Sequence, residues 1–546
     1  MFRRPALAIT VLACLSACAQ VERAPATPSS SPAVPQATRP VAQASAVLPQ
    51  ATAAQSQASS ATPQVAAGIP QPAGAVLPAG SLPQPVMALL AANGIAPANL
   101  SVLVLRGNET ILAHGAGRPM QPASTMKLVT TLVSLEQLGP VFRGRTELLS
   151  NGEMKNGVLQ GDLVLRGGAD ADLSGEVLDT MLRALELSGV QRIAGNLVLD
   201  RSLFNPARQD RGVPPFDESP EAYYNVIPDA LLVNKNMLQL DMRSTSGKLR
   251  LASQPPLEKV VVDADMRLVD ADCAKWEDGW RMPEALPGPD GKIRVMLHGT
   301  FPKNCARSYS INVVDRQAYL DRLFRATWRQ VGGRFNGAVV DGVTPPESRI
   351  LAEHASRALP EIIRDINKPS DNTLARTVFL SMGALAPDPI LGSRALLLNP
   401  GETTYSRADA AVRNWMRQRG INDAGLVMEN GSGLSRIEKI SPGQLGALLQ
   451  AGLTSDWAPE FQASLPIVAV DGTMRRRLKD SVAAGHARMK TGTLSNVVAI
   501  AGYVRDASGQ QCVVAAMINS DQVKDGKGRA VLDALVDWVA QSGRQP

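Results

Sequence analysis

Histidine is scarce in this sequence: four residues in 546, at His114, His298, His354 and His486. They are scattered and lack metal-ligand spacing, so a zinc site is not indicated and neither is a Ser-His-Asp arrangement. Cysteine is almost as rare, with five residues. Apolar runs are short. The longest near the start, "PALAITVLACL", is too short to span a bilayer. Strong charge of one sign is missing too: the net charge is +6 and charged residues make up 19% of the chain. The densest basic cluster, "RRRLK" from Arg475, reads most simply as a solvated face. The other reading is attraction to an anionic polymer or membrane surface. No segment resembles a nucleic-acid-binding module, so no nucleic-acid partner is expected.

What is present at the start is a processing signal. "MFRR" is positive, an apolar run follows, and the pattern reads as a signal peptide over residues 1–18. "LSAC" ends it and resembles a bacterial lipobox, in which Cys18 is lipidated and becomes the mature N-terminus. The alternative is ordinary cleavage at the same small residues. Ala19, rather than Asp, implies delivery to the outer membrane in a cell that has one, so a periplasmic, lipid-anchored protein is expected. Residues 19–82 are dominated by Ala, Pro, Ser and Gln and cannot bury enough surface to fold. They read as a flexible tether. In an oxidising periplasm Cys273 and Cys305 are expected to pair; two independent buried thiols are the alternative. Cys512 sits in an apolar run and reads as a core thiol.

Beyond the tether, "LSVLVLRGNETILAHG" alternates as two strands around a Gly107-Asn108 turn. "STMKLVTTLVSLEQLGP" has apolar residues around most of its circumference, so the spacing predicts a buried helix stopped by Gly139-Pro140. Strand-like pieces then dominate for some two hundred residues. Helical patterns resume near Ala352. At the end, "VVAIAGYVRDASGQQCVVAAMI" reads as two adjacent strands, and "GRAVLDALVDWVAQ" as an amphipathic helix. The pattern predicts one α/β domain, residues 83–148 and 350–546, split by a β-rich insertion over 149–349 that forms one or two further domains.

Three short segments carry chemistry. Ser124 and Lys127 stand three apart, on one face of a helix. A serine hydroxyl needs a base, and a lysine serves only when neutral, a form that burial favours. In "KPSDNTLAR", Ser370 can relay a proton and Asn372 can orient Lys127 or a substrate amide; an ordinary helix cap is the plainer alternative. In "KTGT", read as a strand, Lys490 and Gly492 face one way and Thr491 the other. Lys490 offers charge to a substrate carboxylate, Gly492 allows close backbone approach by a ligand, Thr491 and Gly492 are candidate substrate-binding residues, and the Thr493 backbone N–H joins that of Ser124 as an oxyanion hole. A solvent-facing edge strand is the plainer alternative there.

Together, S-x-x-K, S-D-N and K-T-G form the motif set of penicillin-binding proteins and class A β-lactamases. With "GDLVLRGGAD", "NGSGLSR", "VDGTMRRRL" and the long interval between Ser124 and Ser370, the chain resembles class C low-molecular-mass penicillin-binding proteins. These are the D-alanyl-D-alanine carboxypeptidase/endopeptidase group, peptidase family S13. The resemblance implies a serine β-lactamase/transpeptidase-like fold, with a five-stranded antiparallel sheet between helices. It implies an acyl-enzyme on Ser124, peptidoglycan stem peptides or cross-bridges as substrate, β-lactam antibiotics as inhibitors, and no metal or organic cofactor. It also gives Asp217, in "RGVPPFDES", contact with the free amine of a diaminopimelate. Arg376 departs from the acid often found at its position. The rivals are a β-lactamase or esterase on the same fold, or a non-catalytic peptidoglycan-binding scaffold.

Overall fold

The computed structural model describes residues 82–397, 399 and 401–543. The expected signal peptide, Cys18 and almost all of the tether lie outside them. The central sheet is built from two separated parts of the chain. Strands β1 (Leu100–Arg106) and β2 (Glu109–His114) come first; β3 (Arg488–Leu494), β4 (Val497–Arg505) and β5 (Gln511–Asn519) come last. Their order is β2-β1-β5-β4-β3, antiparallel throughout. The last C-terminal strand, β5, is thus the central strand, paired with β1 of the N-terminal hairpin, and β2 and β3 are the two edges of the sheet.

The period-2 alternation of "VVAIAGYV" and "CVVAAMI" is what sandwiches this sheet. Ala499, Ala501, Tyr503, Val513, Ala515 and Met517 face one core. That core includes helices α1 (Lys127–Leu138), α2 (Asn372–Ala384) and α3 (Pro442–Leu453). Val498, Ile500, Val504, Val514 and Ile518 face the other, where α4 (Lys527–Gln541) lays down Val531, Leu532, Leu535, Val536 and Val539. Both faces are therefore covered, which is why β4 and β5 read as nearly continuous apolar runs. Residues Lys127 to Leu135 of α1 are buried without exception, so this helix is the centre of its layer.

Between the two halves the chain builds separate sheets and its own core around Leu182, Phe324 and Trp328. Arg145–Ser150 pairs antiparallel with Arg349–Ala355, so the excursion leaves and returns side by side. Its strands reach beyond the expected 149–349 at both ends. Ala352 is a strand residue, not the beginning of a helical region; the helix starts at Leu359. Pairing with Arg145–Ser150 overrides the local helical pattern there.

Cys273 and Cys305 form a disulfide that closes a sequence separation of 32 residues. Cys512 is a buried free thiol. Replacing both bridge cysteines by serine is expected to destabilise the inserted region by about 3 kcal/mol. Thermal unfolding of the double variant against the oxidised parent measures this.

Candidate active site

Ser124 lies not on α1 but on the 3₁₀ turn Ala123–Met126 that leads into it. With three residues per turn, side chains at i and i+3 stand in line, which brings Ser124 under Lys127. Ala123, immediately before the serine, has φ 45°, an uncommon conformation for a residue with a Cβ. The turn is locked by Thr125 Oγ1 donating to Pro122 O at 2.7 Å.

Lys127 is fully buried. Its Nζ lies 3.0 Å from Ser124 Oγ, 2.6 Å from Asn372 Oδ1 and 2.5 Å from the Ser432 carbonyl oxygen. Asn372 is fixed in this orientation because its Nδ2 donates to Tyr224 O at 3.0 Å. The two obligate acceptors, Asn372 Oδ1 and Ser432 O, match the two N–H bonds of a neutral amine. The third direction, the lone pair, then faces the serine hydroxyl. Burial lowers the Lys127 pKa to about 7, with the nearby Arg376 cation working in the same direction against Asp371 and Glu438.

The S-D-N segment divides its labour. Asp371 caps α2, accepting from Leu374 N at 2.9 Å, and pairs with Lys235 of the inserted region at 2.5 Å. The capping alternative thus holds for the aspartate, while its neighbours face the lysines. Ser370 has φ 70°, a conformation that holds it out of the helix, and its Oγ accepts from Lys490 Nζ at 2.8 Å. Lys490 is not a solvent-facing edge residue. It is fully buried, also donates to Thr491 O at 2.8 Å, and its pKa is pushed well down by burial and by the charge of Lys127. Both effects disfavour the positive charge expected at Lys490.

Gly492 has a different partner from the one its sequence suggests. A Cβ there would stand 2.7 Å from Pro122 O and 2.9 Å from Ser124 N, so the backbone it admits is the protein's own serine turn. Thr491 donates its hydroxyl to Thr473 Oγ1 at 2.8 Å. Thr493 follows on the same edge strand, opposite Val498, with an exposed side chain. Asp217 is not in contact with the lysines. Its carboxylate is taken up by Tyr224 Oη at 3.0 Å, Asn225 Nδ2 at 2.7 Å and Ser219 N at 3.0 Å. It braces the loop whose Tyr224 carbonyl holds Asn372.

Motif reading missed the segment 429–438 as a source of contacts. Ser432 contributes only a backbone carbonyl, which no residue type announces. Its placement comes from Glu438, a buried carboxylate whose Oε1 accepts from the N–H groups of Glu429, Asn430 and Gly431 at 2.9–3.0 Å. The visible signal was the paired glycines of "NGSG". Gly433 has φ 81°, and a Cβ on it would meet Ala123 O at 1.8 Å.

A serine held under a buried lysine, a second serine on a second buried lysine, and a five-stranded antiparallel sheet between helices define an active-site-serine acyltransfer protein of the penicillin-interacting kind. The sequence profile of the D-Ala-D-Ala carboxypeptidase 3 (S13) family matches residues 84–542, and the chain belongs to that family. It is 27% identical over 446 residues to the D-alanyl-D-alanine carboxypeptidase DacB of Haemophilus influenzae, covering 79% of this chain and 87% of that protein. It is 29% identical over 418 residues to the D-alanyl-D-alanine carboxypeptidase of Actinomadura sp. strain R39, covering 74% of each. The crystal structure of penicillin binding protein 4 (dacB) from Haemophilus influenzae has the same fold, with a TM-score of 0.68 at 23% identity, over 84% of this chain and 99% of that one.

Gly433→Ala is expected to push the serine turn away from Lys127. Displacements of this size cost on the order of 100-fold in acyl transfer. The rate of covalent labelling by a fluorescent penicillin, with melting temperature as a control for folding, reads the effect.

Proposed function

We propose that the protein is a serine DD-peptidase that cleaves D-Ala-D-Ala ends of peptidoglycan stem peptides, cross-links between stems, or both. The observation that carries this is the Lys127 amine, 3.0 Å from Ser124 Oγ with its other two hydrogen-bonding directions committed to fixed acceptors. Lys127 takes the Ser124 proton as the oxygen attacks the penultimate D-Ala carbonyl. The developing oxyanion is held by the backbone N–H groups of Ser124 and Thr493. The C–N bond breaks, and the leaving amine receives a proton through Ser370. Water then releases the acyl-enzyme. Lys490 gains its charge when the substrate carboxylate arrives, because an opposite charge favours the protonated form. Asp217, on the loop beside Asn372, is the proposed contact for a free amine of the stem. Penicillins acylate Ser124 by the same route.

The family and its carboxypeptidase relatives support this reading. Release of free D-Ala from monomeric muropeptides and of monomers from cross-linked dimers, followed by mass analysis, tests it. Ser124→Ala is expected to lose more than about a thousandfold in turnover; equal release with and without the hydroxyl rejects the mechanism. A persistent penicillin adduct is expected, and rapid turnover of the antibiotic would instead mark a β-lactamase.

The pH dependence follows from Lys127. Its folded pKa lies below the ordinary lysine value, at about 7. Below that value the amine is protonated and cannot accept the serine proton, so penicillin acylation should fall about tenfold per pH unit there. It should level off above. Lys127→Ala should lose the acid limb together with about 10²–10⁴ of the rate. A Lys127→Ala protein that acylates at the parent rate would remove Lys127 from the role of base.

Lipidation at Cys18, and with it attachment to the periplasmic face of a membrane, is part of the same proposal. It rests on "LSAC". Mass analysis of the mature N-terminus decides it, an unmodified terminus standing against the anchor.

A further inference from the structure

Glu438 is a buried acid, 1% exposed, at the base of the loop that carries Ser432. The loop is closed behind it by two hydrogen bonds between the backbones of Val427 and Lys439, both 2.9 Å. Ile440, next in the chain, pairs with Met120 just ahead of the serine turn, at 3.0 Å. The other end of the loop is tied to α1, where Thr130 Oγ1 donates to Gly431 O at 2.6 Å. Within this frame the two carboxylate oxygens differ. Oε1 accepts from the N–H groups of Glu429, Asn430 and Gly431. Oε2 is buried and has no partner among the described residues.

This asymmetry bears on charge. Burial pushes the Glu438 carboxyl up, and the three N–H groups oppose it. Hydrogen bonds donated to a carboxylate favour its ionised form. A proton placed on Oε2 would be a buried donor with no acceptor. The geometry therefore fits the carboxylate. Its charge reaches the base: burial lowers the Lys127 pKa, Asp371 and Glu438 raise it, and Arg376 lowers it again. Lys490 on β3 is the remaining cation in this balance. The groups that face Glu438 itself are Glu429, Arg376 and Tyr405. The link to the base is also one of shape. Gly431, whose N–H meets Glu438, precedes Ser432, whose carbonyl meets Lys127 at 2.5 Å.

We propose that Glu438 is a positioning residue for acyl transfer with two separable effects. Its shape folds residues 429–432 so that the Ser432 carbonyl aims the Lys127 amine, and its negative charge sets the pH at which that amine becomes a base. The inference rests on the DD-peptidase reading. The two effects oppose each other. The carbonyl directs the amine toward Ser124, while the charge favours the protonated amine, which cannot accept the serine proton. The carboxylate that aims the base also keeps a proton on it to higher pH.

The test is the pH profile of Ser124 acylation by benzylpenicillin in the full chain. Glu438→Gln keeps an oxygen for the three N–H groups and removes the charge, so Lys127 should lose its proton at lower pH. Its rate at about pH 6, taken relative to its own plateau, should exceed the parent's ratio at least about twofold. Glu438→Ala removes the acceptor as well, and its plateau should fall on the order of 100-fold. Glu438→Asp keeps the charge with a shorter reach, so its plateau should fall while its acid limb stays with the parent's. An acid limb unmoved in Glu438→Gln overturns the proposal, because a merely structural residue changes the plateau alone. A Glu438→Ala plateau equal to the parent's overturns it too. Melting temperature shows which variants are folded. If Glu438→Gln is not, Glu438→Ala against Glu438→Asp carries the comparison, and the charge-free variant must have the more acidic limb. Failure of the parent to label with penicillin would instead strike the DD-peptidase reading.

Discussion

The structure turns on keeping a lysine amine in the protein interior without a carboxylate on it. Transfer of such a group from water is costly unless its hydrogen bonds are replaced. At Lys127 they are replaced by three oxygens from three distant parts of the chain: the serine turn, α2 and the Ser432 carbonyl. Each of those oxygens needs its own support. Asn372 is oriented by a loop carbonyl, Ser432 by the nest of N–H groups around Glu438, and Ser124 by a turn that two glycines allow to sit close. Had an acid been placed beside the amine instead, it would have stayed charged and been useless as a base.

The second lysine makes the arrangement a coupled one. Lys490 is buried as deeply, and each amine discourages a charge on the other. Burial holds both amines below the ordinary lysine pKa, and the positive charge of Lys127 lowers that of Lys490 further.

Much of this was legible in the chain. The alternation of Val497–Arg505 and Gln511–Asn519 gave two-sided burial, and the apolar circumference of Lys127–Leu138 gave a helix with nowhere to face but inward. Residue-type motifs point to groups that act through side chains, so Ser124, Lys127, Ser370, Asn372 and Lys490 could be named; hydrogen bonds join Lys127 to Ser124 and Asn372, and Lys490 to Ser370. What escaped was chemistry carried by backbone. The Ser432 and Tyr224 carbonyls have no signature, and the partner of Gly492 could not be known without the turn it touches. Long-range pairing was equally hidden: Ala352 reads as helical alone and becomes a strand because Leu148 lies opposite. The three left-handed residues Asn234, Lys235 and Asn236, which aim Lys235 at Asp371, were also unreadable, although asparagine tolerates that conformation.

The inserted region is not an appendage, since it supplies Lys235 and the Tyr224 carbonyl to the catalytic helix. Its entry and exit nevertheless meet at one point: Ser356 N donates to Gly144 O at 2.9 Å, and Gly144 N to Ser356 Oγ at 3.0 Å. The excursion is a cassette hung from a clasp. Such a junction lets an ancestral chain acquire or shed the whole module by a single splice, without rethreading the catalytic core, while the few groups reaching across decide whether the truncated form keeps its chemistry.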